Sequence, residues 1–287
     1  MTLRNVRHWP VEVKAGSVME GLPRSKNNAR QTLGAFLKFA RERGWLPRDH
    51  EGIALVPKFK AQTGAIEIFA PWELVQYLNH VREELVPFVA IGAFAGLRHA
   101  EIGRLDWREV RLADRFIEVT AEKAKTASRR LVPITDNLVK WLTPHAQKAG
   151  RVVPFENVNK QIAWLVRDTN RALKAEGKAA GRDPEKAPKL EWKKNALRHS
   201  FISYRLAEVQ SAAQVALEAG NSPRMIFQHY RELVRPKEAK SWFSITPGED
   251  GKILYVLADG QQKEGQGIAG AADSERPALD RSAVASP

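Results

Sequence analysis

Apolar residues recur at helical spacing along much of this chain. The first helix is predicted from Ser25, a residue type that favours N-caps, to Arg43, since Gly44 follows as a helix-stop signal. Its apolar face consists of Leu33, Phe36, Leu37 and Ala40. A connector that contains proline and lysine, residues 56–64, then leads into the rest of the chain. The pattern predicts a short helical unit with a linker at residues 1–62.

A second, larger domain is predicted for residues 63–246. Pro71 suits the first turn of a helix, and residues 85–96 are apolar almost all round, as in a buried core helix. Two short β-branched segments, 116–120 and 130–135, predict two strands of a small sheet. Helical periodicity returns at residues 157–176, 196–208, 211–219 and 222–232. Helices therefore dominate the predicted structure.

Residues 247–287 differ in composition from the rest. They are rich in Gly, Ala, Ser, Gln and Asp and have few large apolar residues apart from residues 253–257, so we expect a mostly disordered tail. The tail has four basic and seven acidic residues, a net charge of −3, whereas the whole chain carries +13. Residues 1–246 therefore carry +16, spread along their length. Such a charge indicates a polyanion partner, although a basic but otherwise ordinary enzyme is the alternative.

Composition also excludes several kinds of chemistry. The chain has no cysteine, which excludes disulfides, thiolate metal sites and cysteine nucleophiles, and fits a reducing compartment. The longest apolar stretch, residues 85–97, contains a proline and is shorter than the roughly 20 residues of a membrane span. Nothing resembles a signal peptide. We therefore expect a cytoplasmic protein without a membrane partner.

Two arginines occur in similar Leu-Arg-His contexts, Arg98 in Gly-Leu-Arg-His-Ala-Glu and Arg198 in Leu-Arg-His-Ser. A guanidinium binds two non-bridging phosphate oxygens at once and keeps its proton, so a pair of them can hold a phosphate and stabilise its charge. Tyr230 follows Gly220-Asn221 by the length of a short helix and turn, and its hydroxyl could attack that phosphate. Singly, each residue also has a structural interpretation, the arginines as solvated helix caps and the tyrosine as a partly buried aromatic.

Together these motifs resemble the tyrosine recombinase (phage integrase) family over residues 69–245. The segment from Gly96 to Val110 resembles the box around the family's first catalytic arginine, and Leu-Arg-His-Ser-Phe-Ile-Ser resembles the box around the second. Gly220-Asn-Ser-Pro, followed by Tyr230, resembles the segment that ends in the nucleophile. The resemblance implies a mainly α fold with a small antiparallel β-sheet (α+β). It also implies a reduced helical DNA-clamping domain before the catalytic domain.

The resemblance assigns roles to individual residues. Arg98 and Arg198 would clamp the phosphate, with Glu101 helping to fix Arg98. Tyr230 would form a 3′-phosphotyrosyl bond to DNA. Because that bond stores the energy of the broken phosphodiester, the reaction needs neither a metal nor a nucleotide, and no cofactor is expected.

A lysine in the hairpin between the two predicted strands completes the implied site. Lys125, eight residues before Pro133, would protonate the leaving 5′ oxygen, and Lys123 is the competing candidate.

The expected partners are double-stranded DNA and other copies of the chain, with four protomers assembled on DNA. We expect the protein to associate with the nucleoid. Residues 236–245 would either pack on a neighbouring protomer or cap the core of their own chain.

Two asparagines depart from the family pattern. The family usually has histidine three residues before the second arginine, and histidine or tryptophan nine residues before the tyrosine, where this chain has Asn195 and Asn221. An amide can donate a hydrogen bond to phosphate but cannot take up a proton near neutral pH. We therefore expect slower chemistry rather than none. Lys194 and His199 are candidates to compensate, although His199 is also the usual residue after the arginine.

The N-terminal part departs as well. Residues 25–47 resemble the last helix of the family's DNA-clamping domain, but too few residues precede them for the earlier helices. Either the clamp is reduced or the chain is a truncated product.

The expected function is site-specific strand exchange in the integration of a mobile element. A DNA-binding relative that has lost the chemistry and a topoisomerase of the same mechanistic type are the alternatives.

Overall fold

The computed structural model describes residues 23–54, 56–60, 66–123, 129–230, 233–248, 252–257 and 260–265. The chain divides into two compact units, Met1–Ala65 and Ile66–Pro287. In the first unit, helix α1 (Pro23–Glu42) coincides within two residues with the predicted helix, and Gly44 follows in a left-handed conformation with φ +72°. Arg30 on this helix donates to the carbonyl of Val56 at 2.6 Å, which holds the connector against it.

The second unit contains nine α-helices within its described residues. They are α2 (Pro71–His80), α3 (Val86–Phe94), α4 (His99–Ile102), α5 (Asp136–Leu142), α6 (Val158–Ala179), α7 (Ala196–Val209), α8 (Ala212–Ala219), α9 (Pro223–Tyr230) and α10 (Pro236–Phe243). Every residue of α3 is buried, as its uniformly apolar sequence predicts. It packs against α5 and α7 and forms the centre of the core.

A three-stranded antiparallel sheet accompanies these helices. It consists of β1 (Val110–Arg111), β2 (Phe116–Val119) and β3 (Arg130–Pro133), with β2 in the middle. Ile117 pairs with Val132, and both are fully buried. The predicted class, mainly α with a small antiparallel β-sheet, is confirmed. Within the described residues, no helix combines the length and apolar composition that crossing a bilayer requires.

The structure differs from the expected disorder after residue 247. Strands β4 (Thr246–Pro247), β5 (Ile253–Val256) and β6 (Gln262–Gly265) form a second antiparallel sheet, with β5 in the middle. The physical reason is the apolar segment that begins at Ile253, whose side chain is fully buried in the main core. Burial of apolar surface offsets the entropy of ordering these residues. Residues 266–287 lie outside the described part of the chain.

Helix α10 caps the core of its own chain, one of the two expected arrangements. The Trp242 ring stacks on Tyr204, with centroids 4.4 Å apart and an interplanar angle of 9°. Its indole N–H donates to the carbonyl of Ala93 on α3 at 2.9 Å. Phe243 packs edge-to-face on Phe201. The segment after α9 is thus fixed to the protein's own helices α3 and α7.

Candidate active site

Arg198 lies in the first turn of α7, and only 9% of the residue is exposed. Its guanidinium donates to the carbonyl oxygens of Gly96 and Ala219, each at 2.6 Å. Gly96 has φ +64°, and a Cβ there would lie 2.2 Å from the Phe201 ring, so the turn requires glycine. Burial, and then the charge of Arg98, lower the pKa of Arg198 to about 9. The side chain therefore remains a cation at neutral pH.

Arg98 precedes α4 and is fixed by Glu101, the acidic residue that the resemblance assigned to this task. Its backbone N–H and its guanidinium donate to the two carboxylate oxygens of Glu101, each at 2.9 Å. The guanidinium also donates to the carbonyl of Gly220 at 2.7 Å. Burial alone would raise the pKa of Glu101, but hydrogen bonds from Arg130 and Arg98 outweigh it and lower that pKa to about 2. Glu101 is therefore a carboxylate throughout the neutral range.

Asn221 joins the two arginines. Its side-chain oxygen accepts hydrogen bonds from Arg98, at 3.3 Å, and from Arg198. The guanidiniums from two distant motifs therefore lie side by side. Because the oxygen of the amide faces both cations, its N–H₂ group is the part that can donate to a phosphate oxygen.

Tyr230 is the last residue of α9 and is buried, with 6% of the residue exposed. Its hydroxyl oxygen lies 2.7 Å from Nδ1 of His199, the residue after Arg198. Burial raises the pKa of Tyr230, and the positive charge of Arg198 opposes this rise. Burial, and then Arg198, lower the pKa of His199. At neutral pH the pair therefore consists of a neutral phenol and a neutral imidazole.

Asn195 is the N-cap of α7, and its backbone is left-handed, with φ +56°. Asparagine tolerates this conformation better than most residues do, so the backbone of the turn is a local structural reason for an asparagine at this position. The residue is exposed at the edge of a cavity that Arg198 and Trp192 also line. Among the described contacts, none joins its side chain to Arg98 or Arg198. Of the two asparagines, the structure therefore places only Asn221 between the arginines.

The hairpin lysine is seen only in part. Lys125 lies outside the described residues. The ammonium of the competing candidate, Lys123, donates to the carboxylate of Glu109 at 2.7 Å, and both side chains are mostly buried. Lys123 is therefore already paired with a carboxylate, and the assignment of Lys125 stays a prediction. Of the residues named as candidates to compensate for the asparagines, Lys194 is exposed, whereas His199 contacts Tyr230.

Sequence reasoning missed one arginine of this cluster. Arg130, at the start of β3, donates from both terminal nitrogens to the carboxylate of Glu101, at 2.6 and 3.2 Å. A signal for it was present, since Arg130 is two residues before Val132, on the same face of a strand whose Val132 is buried. An arginine that points inward needs acidic or carbonyl partners, so it belongs near a polar cluster.

Comparisons with known proteins identify the family of this chain. The model of the phage integrase family matches residues 73–234, more than half of the chain. Among solved structures, a lambda integrase dimer bound to a COC′ core site has 18% identity and a TM-score of 0.50, over 74% of this chain and 62% of that chain. No curated protein sequence gave a match.

Two further solved structures are similar over most of both chains. The XerA recombinase has 20% identity and a TM-score of 0.42, over 73% of this chain and 72% of that chain. The integrase from mycobacterium phage Brujita has 15% identity and a TM-score of 0.41, over 77% of each chain. Likeness at such identities concerns the fold, whereas the family match covers both arginine motifs and Tyr230. The match over these motifs shows that the chain belongs to the phage integrase family of tyrosine recombinases.

Proposed function

We propose that this protein is a site-specific recombinase that cuts and rejoins DNA strands through a 3′-phosphotyrosyl bond to Tyr230. The observation that carries the proposal is the arrangement of Arg98 and Arg198 on one side-chain oxygen of Asn221. The two positive charges repel each other in this largely buried site, and Glu101 supplies only one negative charge, so a bound phosphate would offset the remaining repulsion. Family membership and the solved lambda integrase complex with DNA are consistent with this substrate.

The two arginines retain donors for such a phosphate. A guanidinium has five N–H groups, and the hydrogen bonds described above engage three on Arg98 and three on Arg198. Two N–H groups on each arginine therefore have no partner among the described contacts, and we propose that they donate to the non-bridging oxygens. As the phosphorus becomes five-coordinate, charge builds on those oxygens, and donors already in place stabilise it without reorganisation.

The nucleophile needs a proton acceptor, because burial raises the pKa of Tyr230. His199 lies within hydrogen-bond distance and is neutral at pH 7, so in the tautomer that carries its proton on Nε2 it can accept the phenolic proton on Nδ1. Tyr230 Oη then forms a bond to phosphorus as the bond to the 5′ oxygen breaks. We propose that Lys125 gives that oxygen its proton, an assignment that the sequence alone supports.

We expect His199→Gln to slow cleavage by about 10²–10⁴-fold, since glutamine can hydrogen-bond Tyr230 but cannot take up its proton. In the wild type, the cleavage rate should rise with pH as His199 loses its proton. The midpoint should lie below the ordinary histidine pKa of about 6.5, because burial lowers this pKa. Single-turnover rates between pH 5 and pH 8 measure both effects.

The matched control is His229→Gln, which removes a partly exposed histidine next to Tyr230. It should keep both the rate and the pH profile. If His199→Gln keeps them too, another group accepts the proton.

The test of the proposed function is covalent trapping. Bound duplexes selected from a random-sequence pool would give the recognised site, and a nick a few nucleotides from each phosphate of that site would release the cleaved fragment and trap the adduct. We expect a phosphotyrosine at Tyr230 by mass spectrometry. Strand exchange between two such sites, rather than relaxation of one supercoiled circle, distinguishes a recombinase from a topoisomerase.

One observation favours the DNA-binding alternative. Asn195 occupies a position where the family usually has histidine, and its exposed side chain is not shown to contact the arginines. If this loss removed the chemistry, the protein would bind the selected DNA and form no adduct on any nicked version of it. That result would replace recombinase by DNA-binding relative.

DNA affinity should decrease steeply with salt. The chain carries +13, and residues 1–246 carry +16, so binding should release counterions from several phosphates. With about six contacts, affinity should fall roughly a thousand-fold between 50 and 200 mM salt. Fluorescence anisotropy of a labelled duplex measures this slope. An affinity that does not change with salt would argue against nucleic acid as the partner.

A further inference from the structure

Arg130 is a largely buried cation whose described partners are the carboxylate of Glu101 and the carbonyl of Glu218. Nη2 lies 2.6 Å from one oxygen of Glu101 and Nη1 lies 3.2 Å from the other, a two-pronged contact. Its Nε donates to the carbonyl of Glu218 at 3.2 Å. Only 9% of its side chain is exposed, against 2% for Glu101. This arginine is therefore directed to the interior and is not a surface ion pair.

We infer that Arg130 is a positioning residue that keeps Arg98 available to the phosphate, an inference that rests on the proposed function. The two carboxylate oxygens of Glu101 that accept hydrogen bonds from Arg130 also accept from Arg98, one from its backbone N–H and one from its guanidinium. With both arginines present, the single carboxylate neutralises neither, and the cluster with Arg198 has two positive charges in excess. Without Arg130, Glu101 and Arg98 would form a closed neutral pair, and only the charge of Arg198 would remain.

The same arginine also fixes the backbone next to Asn221. Arg130, Arg198 and Arg98 donate to three consecutive carbonyls at the end of α8, those of residues 218, 219 and 220. These carbonyls lie at the negative end of the helix dipole and have no partner within the helix. The three arginines therefore bind the end of α8 as one unit.

The Arg130 guanidinium lies close to Gly220, where a larger residue would crowd it. Gly220 has φ +66°, and a Cβ added there would lie 3.2 Å from three atoms of the Arg130 guanidinium. Asn221, which joins Arg98 and Arg198, follows directly. A side chain at residue 220 would therefore press on the Arg130 guanidinium, next to the turn that carries Asn221 and leads into α9.

The inference predicts non-additive losses of cleavage. We expect Arg130→Lys to lower the cleavage rate by about 10²-fold, the effect of losing one well-placed donor, because an ammonium cannot span both oxygens of Glu101 and the Glu218 carbonyl. Because Arg130 acts through Arg98, a variant with both Arg98→Met and Arg130→Lys should be no slower than Arg98→Met alone. Losses that multiply would overturn the inference.

The matched control is Arg129→Lys. Arg129 precedes Arg130, pairs with Glu118 at 2.6 Å and is exposed, so its variant should cleave as the wild type does. Thermal unfolding of each variant separates positioning from folding. If Arg130→Lys cleaves normally once the folded fraction is taken into account, the role is only structural and the inference is wrong.

A second measurement decides the inference even if the wild type forms no adduct, which would refute the proposed function alone. The ¹⁵N-edited NMR signal of the Arg98 Nε–H group, assigned by its loss in Arg98→Met, reports how tightly this guanidinium is held. In Arg130→Lys the ammonium cannot occupy both oxygens of Glu101, so Arg98 should close on the freed oxygen, and we expect this signal to shift and to exchange more slowly with water. An unchanged Arg98 signal in that variant would overturn the inference, whatever the cleavage assay shows.

Discussion

Tyr230→Phe should abolish every covalent protein–DNA adduct and leave DNA affinity unchanged. The substitution removes one oxygen atom, the one that would attack phosphorus, and leaves the ring in the core formed with Phe201 and Ile226. The hydroxyl is buried and contacts His199, so its loss should cost only about 1 kcal/mol of stability, the value of one hydrogen bond. Gel mobility under denaturing conditions measures the adduct, and anisotropy measures binding.

Two other tyrosines provide matched controls. Tyr255→Phe changes a partly buried residue of β5, and Tyr204→Phe removes a hydroxyl that donates to the carbonyl of Phe69 at 3.0 Å. Both variants should form the adduct in normal amounts. An adduct recovered from Tyr230→Phe and mapped to Tyr77, Tyr204 or Tyr255 would contradict the assignment of the nucleophile.

The fold was predictable where a long segment carried one clear pattern of apolar residues. The all-apolar run at residues 85–96 could only be buried, and it became α3 at the centre of the core. Short elements gave too weak a pattern. The seven residues of α5 and the two of β1 were not predicted, because their packing on distant parts of the chain decides their conformation.

The second sheet shows the same limit of sequence reasoning. Composition after residue 247 favours disorder on average, yet one apolar segment at residues 253–256 is enough to pair with two neighbours and bury Ile253. An average over forty-one residues conceals a four-residue strand. The domain boundaries at residues 62 and 246, and the DNA-clamping role of the first unit, stay predictions.

Parts of the site were predictable because short sequence motifs contain the residues that form them. Arg98, Arg198, Asn221 and Glu101 are in contact in the structure, and their catalytic roles stay predictions. Arg130 carries no motif, and its role depends on the pairing of β3 with β2 and on the proximity of α8, neither of which spacing reveals. The left-handed backbone of Asn195 is likewise a tertiary property of the turn before α7.

Arg198→Ala should lower the cleavage rate by about 10³–10⁵-fold, the range found for an arginine that stabilises charge during phosphoryl transfer. Arg198→Lys should recover less than a tenth of the wild-type rate. The guanidinium reaches Gly96, Ala219 and Asn221 at once, and a single ammonium cannot replace a planar group with that many directed donors. Single-turnover cleavage of the nicked site measures both variants.

The control for Arg198→Lys is Arg205→Lys on the same helix. Arg205 also makes a two-pronged contact, with the largely buried Glu218 at 3.0 Å on both oxygens, but it contacts neither Tyr230 nor the other arginines in the described structure. Both lysine variants lose directed hydrogen bonds, so both should unfold at a lower temperature. The free energy of unfolding should fall by about 1–3 kcal/mol for each buried partner left unpaired. Only Arg198→Lys should lose cleavage out of proportion to stability. Equal losses in the two variants would show that Arg198 supports the fold and that another group binds the phosphate.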